Sequence, residues 1–576
     1  MPLRHSCEHI LHTAMQILYP SLKKVMGPPI ENGYYLDFDL EERITEDDFP
    51  KIEVLMQKII DADLKFKIKE VSKEKAQEVF KNNQYKLNTI NEIEERNENI
   101  TLYSMGEERN EYYDLDLCRG PHVKTTSEIK AFKLLSVAGA YYKGSEKNKM
   151  LQRIYGTAFD SKEKLERYLK MIEEAKKRDH RKLGRDLEIM MFHETAPGMP
   201  YWLPNGVIMY NELIGFWRQE HKKYNYQEIV SPLINKKELY QISGHWEHYL
   251  DNMFVSETED GEIYALKPMN CPNAMVIFGS KTRSYKDLPL RLSDTDTLHR
   301  NERSGTLNGL LRAREFRQDD AHIFVTEDQI KDEFAQVLKI TEKFYSIFGL
   351  EYKLRLGTRP EKYMGDIETW NKAEKELKEI LEDSKKEYFV LEGDGAFYGP
   401  KIDILMKDSL GRDWQMGTIQ LDFQIPRNFN LKYISENGES KTPITIHRVI
   451  YGSLERFFGI IIEHFNGAFP VWLSPLQIKV IPITENQAEY ANKVTNNLMA
   501  AGLRAETNER NESMQAKIRD AQIFKIPYML IIGKREQEAS KVSVRLRSGE
   551  DLGTLDTKKV TDRIKEIYLT RSLNLW

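Results

Sequence analysis

The chain has 576 residues, a formal net charge of −5, and 30% charged against 40% hydrophobic residues. That balance fits a soluble globular protein of about three or four domains. It excludes a bulk polycation, so any nucleic-acid contact must come from local basic surfaces. The cysteines, Cys7, Cys118 and Cys271, are too few and too odd for a disulfide framework and point to a reducing, cytoplasmic compartment. No apolar run reaches the roughly 18 residues of a membrane span, and the opening MPLRHSCEHILHTAM has no signal-peptide character.

In chain order, HSCEHILHTAMQIL carries apolar residues at Ile10, Ala14, Ile17 and Leu18, a helical period. A strand-like NGYYLDFDL follows, residues 51–98 are Lys/Glu-rich and read as mostly helical, and a first domain over 1–160 closes around DLCRGPHV. Residues 161–182 read as one exposed amphipathic helix, with Leu165, Tyr168, Leu169 and Ile172 as its stripe, suited to linking domains. The largest unit runs over 183–472. A helix at 207–223 leads into YQEIVSPLI, a strand interrupted by Pro232. IYALKP, LPLRLSDT, HIFV, YFVLEG, PKIDILMKD and DWQMGTIQLDF then predict a large antiparallel sheet with helices packed on it. From 473 to 576 strands and helices alternate, which predicts one small α/β domain. The expectation is an α+β multidomain protein.

Chemistry concentrates in Arg300–Phe324, RNERSGTLNGLLRAREFRQDDAHIF. Arg300 and Arg312 flank a Ser-Gly-Thr-Leu-Asn-Gly loop, and two guanidiniums across a hairpin can clamp phosphate oxygens. Glu302 between them can accept from an exocyclic amine. The bland alternative is a solvated hairpin with salt bridges. In GSLERFFGIIIEHF, Arg456 stands near the start of an apolar helix, where anions are favoured. There is neither a GxxxxGK[ST] loop nor a GxGxxG after a strand, so a bound nucleotide would lie on a sheet. Cys271, His322 and His447 are far apart, and their spacing alone marks no site. HSCEH sets His5 and His9 on one helical face, and CRGPH sets Cys118 and His122 four apart. On spacing alone those four read first as a structural zinc site.

Three features together resemble the signature motifs of class II aminoacyl-tRNA synthetases: Pro232 after a long helix, Arg300-Asn-Glu302 with its loop to Arg312, and GSLER with Arg456. The closer resemblance is to the threonyl-tRNA synthetases, through KPMNCP, QDDAHIF, GAFYGPKID, WQMGTIQLDF and IHRVIYGSLERF, in order along nearly the whole chain. It implies a class II antiparallel-sheet catalytic core, an α+β editing domain and a C-terminal α/β anticodon-binding domain. Cys271, His322 and His447 would be the ligands of a catalytic Zn2+ that engages the amino group and hydroxyl of L-threonine. ATP, with Mg2+, would meet Arg300, Glu302, Arg312, Gln415 and Arg456. Threonine would meet Met269, Gln318, Asp320, Tyr398 and Gln420. Arg300, Arg456, His245 and Lys401 would serve the chemistry, His245 in transfer to tRNA(Thr).

Serine lacks only a methyl relative to threonine, worth about 1–3 kcal/mol, so fidelity requires a second, hydrolytic site. His5, His9, Cys118, His122 and Asp116 resemble that editing site. Asn511, Glu536 and Arg545 match anticodon-contacting positions, and Lys534, Arg535, Lys541, Arg545 and Arg547 can add phosphate contacts, though each alone reads as readily as a solvated charge. The family also implies a homodimer built around Pro232, and no membrane. The bacterial family usually carries a ubiquitin-like domain before HSCEH, and the expectation is that this chain lacks it. The alternatives are a synthetase-like RNA-binding regulator without catalysis, a sister synthetase for another amino acid, against which the Cys271, His322 and His447 trio speaks, and, most weakly, a zinc hydrolase, whose HExxH glutamate is missing here.

Overall fold

The computed structural model describes residues 1–145, 147–408 and 411–576. It divides into two compact units, Met1–Glu174 and Ala175–Trp576.

The first unit is organised by the helix Pro2–Leu18, which opens with proline at its first turn. Cys7, Ile10, Leu11, Ala14 and Met15 recur at helical spacing and are fully buried. They pack with Tyr34, Leu36, Phe38 and Ile154 of a five-stranded antiparallel sheet and with the helix Phe49–Asp61. A second sheet of three antiparallel strands, Phe66–Glu70, Thr101–Met105 and Asp114–Leu117, carries the acidic and cysteine-bearing segment. Its first strand lies in a region whose Lys/Glu content reads as helix. Cross-strand pairing with Thr101–Met105 overrides that local propensity.

Residues 161–182 form two helices instead of one, Lys162–Lys177 and His180–Asp186. Asp179 ends the continuity by accepting a hydrogen bond from the Arg181 backbone N–H at 2.8 Å, a new N-cap.

The second unit is built on a nine-stranded sheet. Its central order is Leu290–Asp294, Glu315–Val325, Ile444–Ser453, Asp413–Asp422, Lys401–Lys407 and Tyr352–Gly357, all antiparallel. Parallel pairs occur at its two edges, with Gln227–Glu228 and with Tyr388–Leu391. The helix Leu454–His464 follows directly from the strand Ile444–Ser453 and packs back on the sheet through buried Phe457, Phe458, Ile460 and Ile461. Residues 477–570 form a five-stranded mixed sheet with helices Ala488–Ala500, Met514–Ile523 and Thr557–Thr570. Sequence reading misses its last strand, Asp551–Asp556, because DLGTLD is polar and exposed. Among the described residues no helix is long and apolar enough to cross a membrane.

Ile461→Ala, at a fully buried position, is expected to destabilise the second unit by about 2–5 kcal/mol. Ile523→Ala, at an exposed position, should stay within about 0.5 kcal/mol. Urea unfolding followed by tryptophan fluorescence compares the two.

Candidate functional site

Strand register creates the first cluster. His322 and His447 are direct partners across neighbouring antiparallel strands, so their side chains leave the same face of the sheet. Cys271 opens the helix Cys271–Gly279 above that face. The sulfur and one nitrogen of each ring lie within 4.8 Å of one another, and all three residues are buried. Asp422 takes His447 Nε2 at 2.9 Å and so fixes the ring. His322 Nδ1 is buried and lacks a hydrogen-bond partner among the described residues. Burial holds the His322 ring well below the usual histidine range, helped by His447, and pushes the Cys271 thiol up. A soft sulfur and two imidazoles, one of them oriented by a carboxylate, fit a divalent zinc-like ion with a coordination position left open.

The cluster forms one end of a cavity of about 350 Å3 that also meets Met269, Gln318, Asp320, Tyr398 and Gln420. Asn270 Nδ2 donates to Asp320 at 3.1 Å, and the Tyr398 hydroxyl donates to Gln420. Asp294, the register partner of Asp320, is buried with neither carboxyl oxygen hydrogen-bonded among the described residues. His245 reaches 3.8 Å from Cys271 Sγ and contacts Ser243 at 2.8 Å. Burial, then His447, lowers its pKa to about 3. His248 lies outside the cavity lining and stacks on Phe397.

Arg300, Gln318, Thr418 and Val449 also line a second cavity of about 250 Å3. Here Arg300, Arg312 and Arg456 converge with Glu302 and Gln415. Glu302 engages Arg312 at 2.8 Å. Arg456 Nε donates to Leu311 O at 2.9 Å. Burial lowers the Arg456 pKa, and Arg300 and Arg312 add to the effect. One carboxylate against three guanidiniums leaves the cavity with a positive surplus that a polyanion would balance. Lys401 belongs to a neighbouring network with Asp394 at 3.0 Å and Asp403 at 3.2 Å and lines neither cavity. Gln415 reaches that network by donating to Asp403 at 2.8 Å.

Sequence reading missed the support of the arginine hairpin. His180 is buried, places Nδ1 at 2.8 Å from Glu463, and accepts from the Leu310 N–H through Nε2 at 3.1 Å. Gly309 is required beside it, because a Cβ there would lie 2.3 Å from His180 Nε2. A lone histidine at a helix start gives no signal of such a partner 130 residues away.

In the first unit, His5, His9, Cys118 and His122 also come together within 4.8 Å. Cys118 Sγ lies 3.3 Å from His5 Nε2 and 3.2 Å from His122 Nε2. Ser6 and Phe66 hold the His122 ring, by a 3.0 Å contact and by stacking at 4.9 Å. Burial, ahead of neighbouring charges, lowers His5 to about 4 and His122 to about 2 and raises Cys118 to about 11. Burial lowers His9 as well, so near pH 7 the cluster is held toward its neutral forms, bases and weak donors instead of charges. His5, His9 and Cys118 share a cavity of about 400 Å3 with Asp116 and with Glu8 and Lys86, which sequence reading did not single out, and His122 packs against Cys118 outside its lining. Lys24 also lies behind it, 2.6 Å from Asp116.

Comparison with known proteins bears on both clusters. Residues 254–465 match the tRNA synthetase class II core domain (G, H, P, S and T). Residues 477–567 match an anticodon binding domain, and residues 100–155 match the threonyl and alanyl tRNA synthetase second additional domain. The threonine–tRNA ligase of Thermotoga neapolitana is 51% identical over 99% of this chain and 89% of its own length. That of Clostridium tetani is 49% identical over 98% of this chain and 87% of its own. This chain belongs to the threonine–tRNA ligase family. Among solved structures, the RNA binding domain of threonyl-tRNA synthetase from Cryptosporidium parvum is 41% identical with a TM-score of 0.65, covering 68% of this chain and 98% of that one. A putative threonyl-tRNA synthetase from Aeropyrum pernix is 28% identical with a TM-score of 0.61, covering 69% and 98%.

Within this ligase fold, the three anticodon candidates sit on separate segments. Asn511 is in an exposed loop, Glu536 is in the short helix Lys534–Glu538, and Arg545 is on the strand Lys541–Leu546. Glu536 caps its own helix by accepting from the Gly533 N–H at 3.0 Å. Arg545 Nε is buried without a hydrogen-bond partner among the described residues. Arg547 is not a phosphate contact. It is part-buried and donates to the carbonyls of Phe469 at 2.6 Å and Ala468 at 2.7 Å.

His180→Phe keeps a ring but loses both contacts, and is expected to raise the KM for ATP about fivefold or more with little change in the KM for threonine. Steady-state pyrophosphate exchange separates the two constants.

Proposed function

We propose that the chain joins L-threonine to tRNA(Thr) at the expense of ATP and hydrolyses Ser-tRNA(Thr) in its first unit. The observation that carries the ligase reading is the common wall: the Cys271–His322–His447 cavity and the three-arginine cavity share Arg300 and Gln318. An amino acid and a nucleotide bound side by side would meet there.

In the first step the threonine carboxylate attacks the α-phosphorus of ATP, and pyrophosphate leaves. Arg300, at the shared wall, stabilises charge developing on the α-phosphate, while Arg312 and Arg456 hold the outer phosphates. Glu302 and Gln415 bound the adenine side, and Mg2+ accompanies the phosphates. Met269, Gln318, Tyr398 and Gln420 enclose the amino acid, and Asp320 accepts from its hydroxyl. Cys271, His322 and His447 would hold a zinc ion, which would supply a Lewis-acid position for a hydroxyl that threonine carries and valine lacks. The terminal ribose of the tRNA then attacks the adenylate carbonyl, with His245 as a hydrogen-bonding group beside it. Lys401, tied to Asp394 and Asp403, braces the wall next to Gln415.

In the first unit, His5, His9, Cys118 and His122 surround a seryl ester and orient the attacking water, with Asp116 behind them. Asn511, Glu536 and Arg545 read anticodon bases through edge hydrogen bonds. The domain limits that fit these roles are 1–160 for editing, 161–182 for the connection, 183–472 for catalysis and 473–576 for the anticodon. A second copy of the chain would cover the exposed Val230, Leu233 and Ile234 around Pro232, where Val230 is 83% exposed, in a homodimer. The reaction belongs in the cytoplasm.

Amino-acid-dependent ATP–pyrophosphate exchange tests the ligase reading. It should be strong with threonine, weaker with serine and negligible with valine, on protein holding about one zinc per chain. Absence of exchange with every amino acid would leave an RNA-binding regulator. Cys271→Ala should abolish exchange and remove the metal, and Arg456→Ala should slow exchange about 100-fold or more. His5→Ala combined with His9→Ala should leave threonylation near normal while Ser-tRNA hydrolysis collapses. Unchanged hydrolysis would remove the editing role.

A further inference from the structure

Three carboxylates are buried around the His/Cys cluster of the first unit: Glu8, Asp114 and Asp116. Two of them are committed. Asp116 lies 2.6 Å from Lys24 and 2.7 Å from Lys86. Asp114 contacts His9 Nδ1 at 3.3 Å and faces His12 Nδ1 at 3.2 Å. Glu8 differs. Its nearest cation, Lys24 at 3.5 Å, is the one already engaged by Asp116, and Glu8 Oε1 has no hydrogen-bond partner among the described residues.

Glu8 is nonetheless placed to meet a ligand. It sits on the same helical face as His5 and His9, three residues after one and one before the other, and lines the same cavity. Its carboxyl presses on Gly27, where a Cβ would lie 1.8 Å from Oε1, so the chain leaves room for it at that one point. A buried carboxyl oxygen whose nearest cation stands off at 3.5 Å with no hydrogen bond is costly, and in a native protein such a group calls for an explanation, a water, ion or ligand among them. An aminoacyl ester brings one strong cationic donor, its α-ammonium.

We propose that Glu8 receives the α-ammonium of the aminoacyl ester in this cavity and so turns the ester carbonyl toward the His/Cys cluster. The inference rests on the editing reading above. Glu8 is then a substrate-binding residue that does not tell serine from threonine, since both carry the ammonium. It tells an aminoacyl ester from one whose nitrogen is blocked.

The test compares hydrolysis of Ser-tRNA with that of N-acetyl-Ser-tRNA. Wild-type protein should prefer the free amine by at least about tenfold in kcat/KM, the scale of a charged hydrogen bond. Glu8→Gln, of the same shape, should lower kcat/KM for Ser-tRNA by a similar factor and leave the acetylated substrate within about twofold. Equal losses on both substrates, or no loss on either, would overturn the proposal. Should Glu8→Gln fail to fold, judged by its melting curve and its threonylation rate, the wild-type comparison decides, because equal rates on the two substrates overturn it. His9→Ala separates the two levels of argument. If it leaves both hydrolyses unchanged, the editing reading fails, whereas if it stops both while Glu8→Gln shows no substrate preference, only the role of Glu8 fails.

Discussion

The pairing of Glu315–Val325 with Ile444–Ser453 is the constraint on which the second unit turns. Side chains alternate along a strand, so a slip of one residue would send His322 and His447 to opposite faces. The register is pinned by apolar residues that must stay inside: Ile323 and Ile446, directly paired, are both fully buried. The same alternation brings Gln420 opposite His447 on the next strand. The residues that can hold a metal, and those lining the cavity beside them, are therefore consequences of how the core packs. The helix Leu454–His464 extends the logic, because the turn out of Ile444–Ser453 delivers Arg456 to the arginine cavity.

Electrostatics in the two units is arranged in opposite ways. The arginine cavity gathers three guanidiniums against one carboxylate, a surplus of one sign that suits an anionic ligand. The histidine cluster of the first unit is neutral, and the charges lie behind it, in Lys24, Lys86, Asp114 and Asp116. Buried pairs of that kind contribute little net stability, but breaking one leaves a charge stranded. Their value there lies in geometry: Asp114 and Asp116 hold their partners in fixed positions beneath the cavity.

Much of this was legible in the sequence because the family motifs are long and occur in order. The strands of the large sheet were visible as alternating or continuous apolar runs, and Cys271, His322 and His447 were reachable only through resemblance, since nothing in their spacing brings them together. What escaped detection has a common cause. The strand Phe66–Glu70 is polar and exists through its neighbour. The helix break at Asp179 is a cap that looks like any charged residue. His180, Glu8 and Lys24 act through partners far away in sequence or through burial, and a single sequence reports neither. Arg547 carries the opposite lesson. A basic residue beside Arg545 looks like a phosphate contact, yet backbone carbonyls claim it.

The shared wall of Arg300 and Gln318 has a thermodynamic consequence. An amino acid and a nucleotide bound on its two sides would be coupled through those side chains, and any such coupling is reciprocal: whatever factor the one gains from the other, it returns. Were that coupling favourable for the right amino acid, a wrong one would be penalised both for its own fit and through a nucleotide held less well beside it.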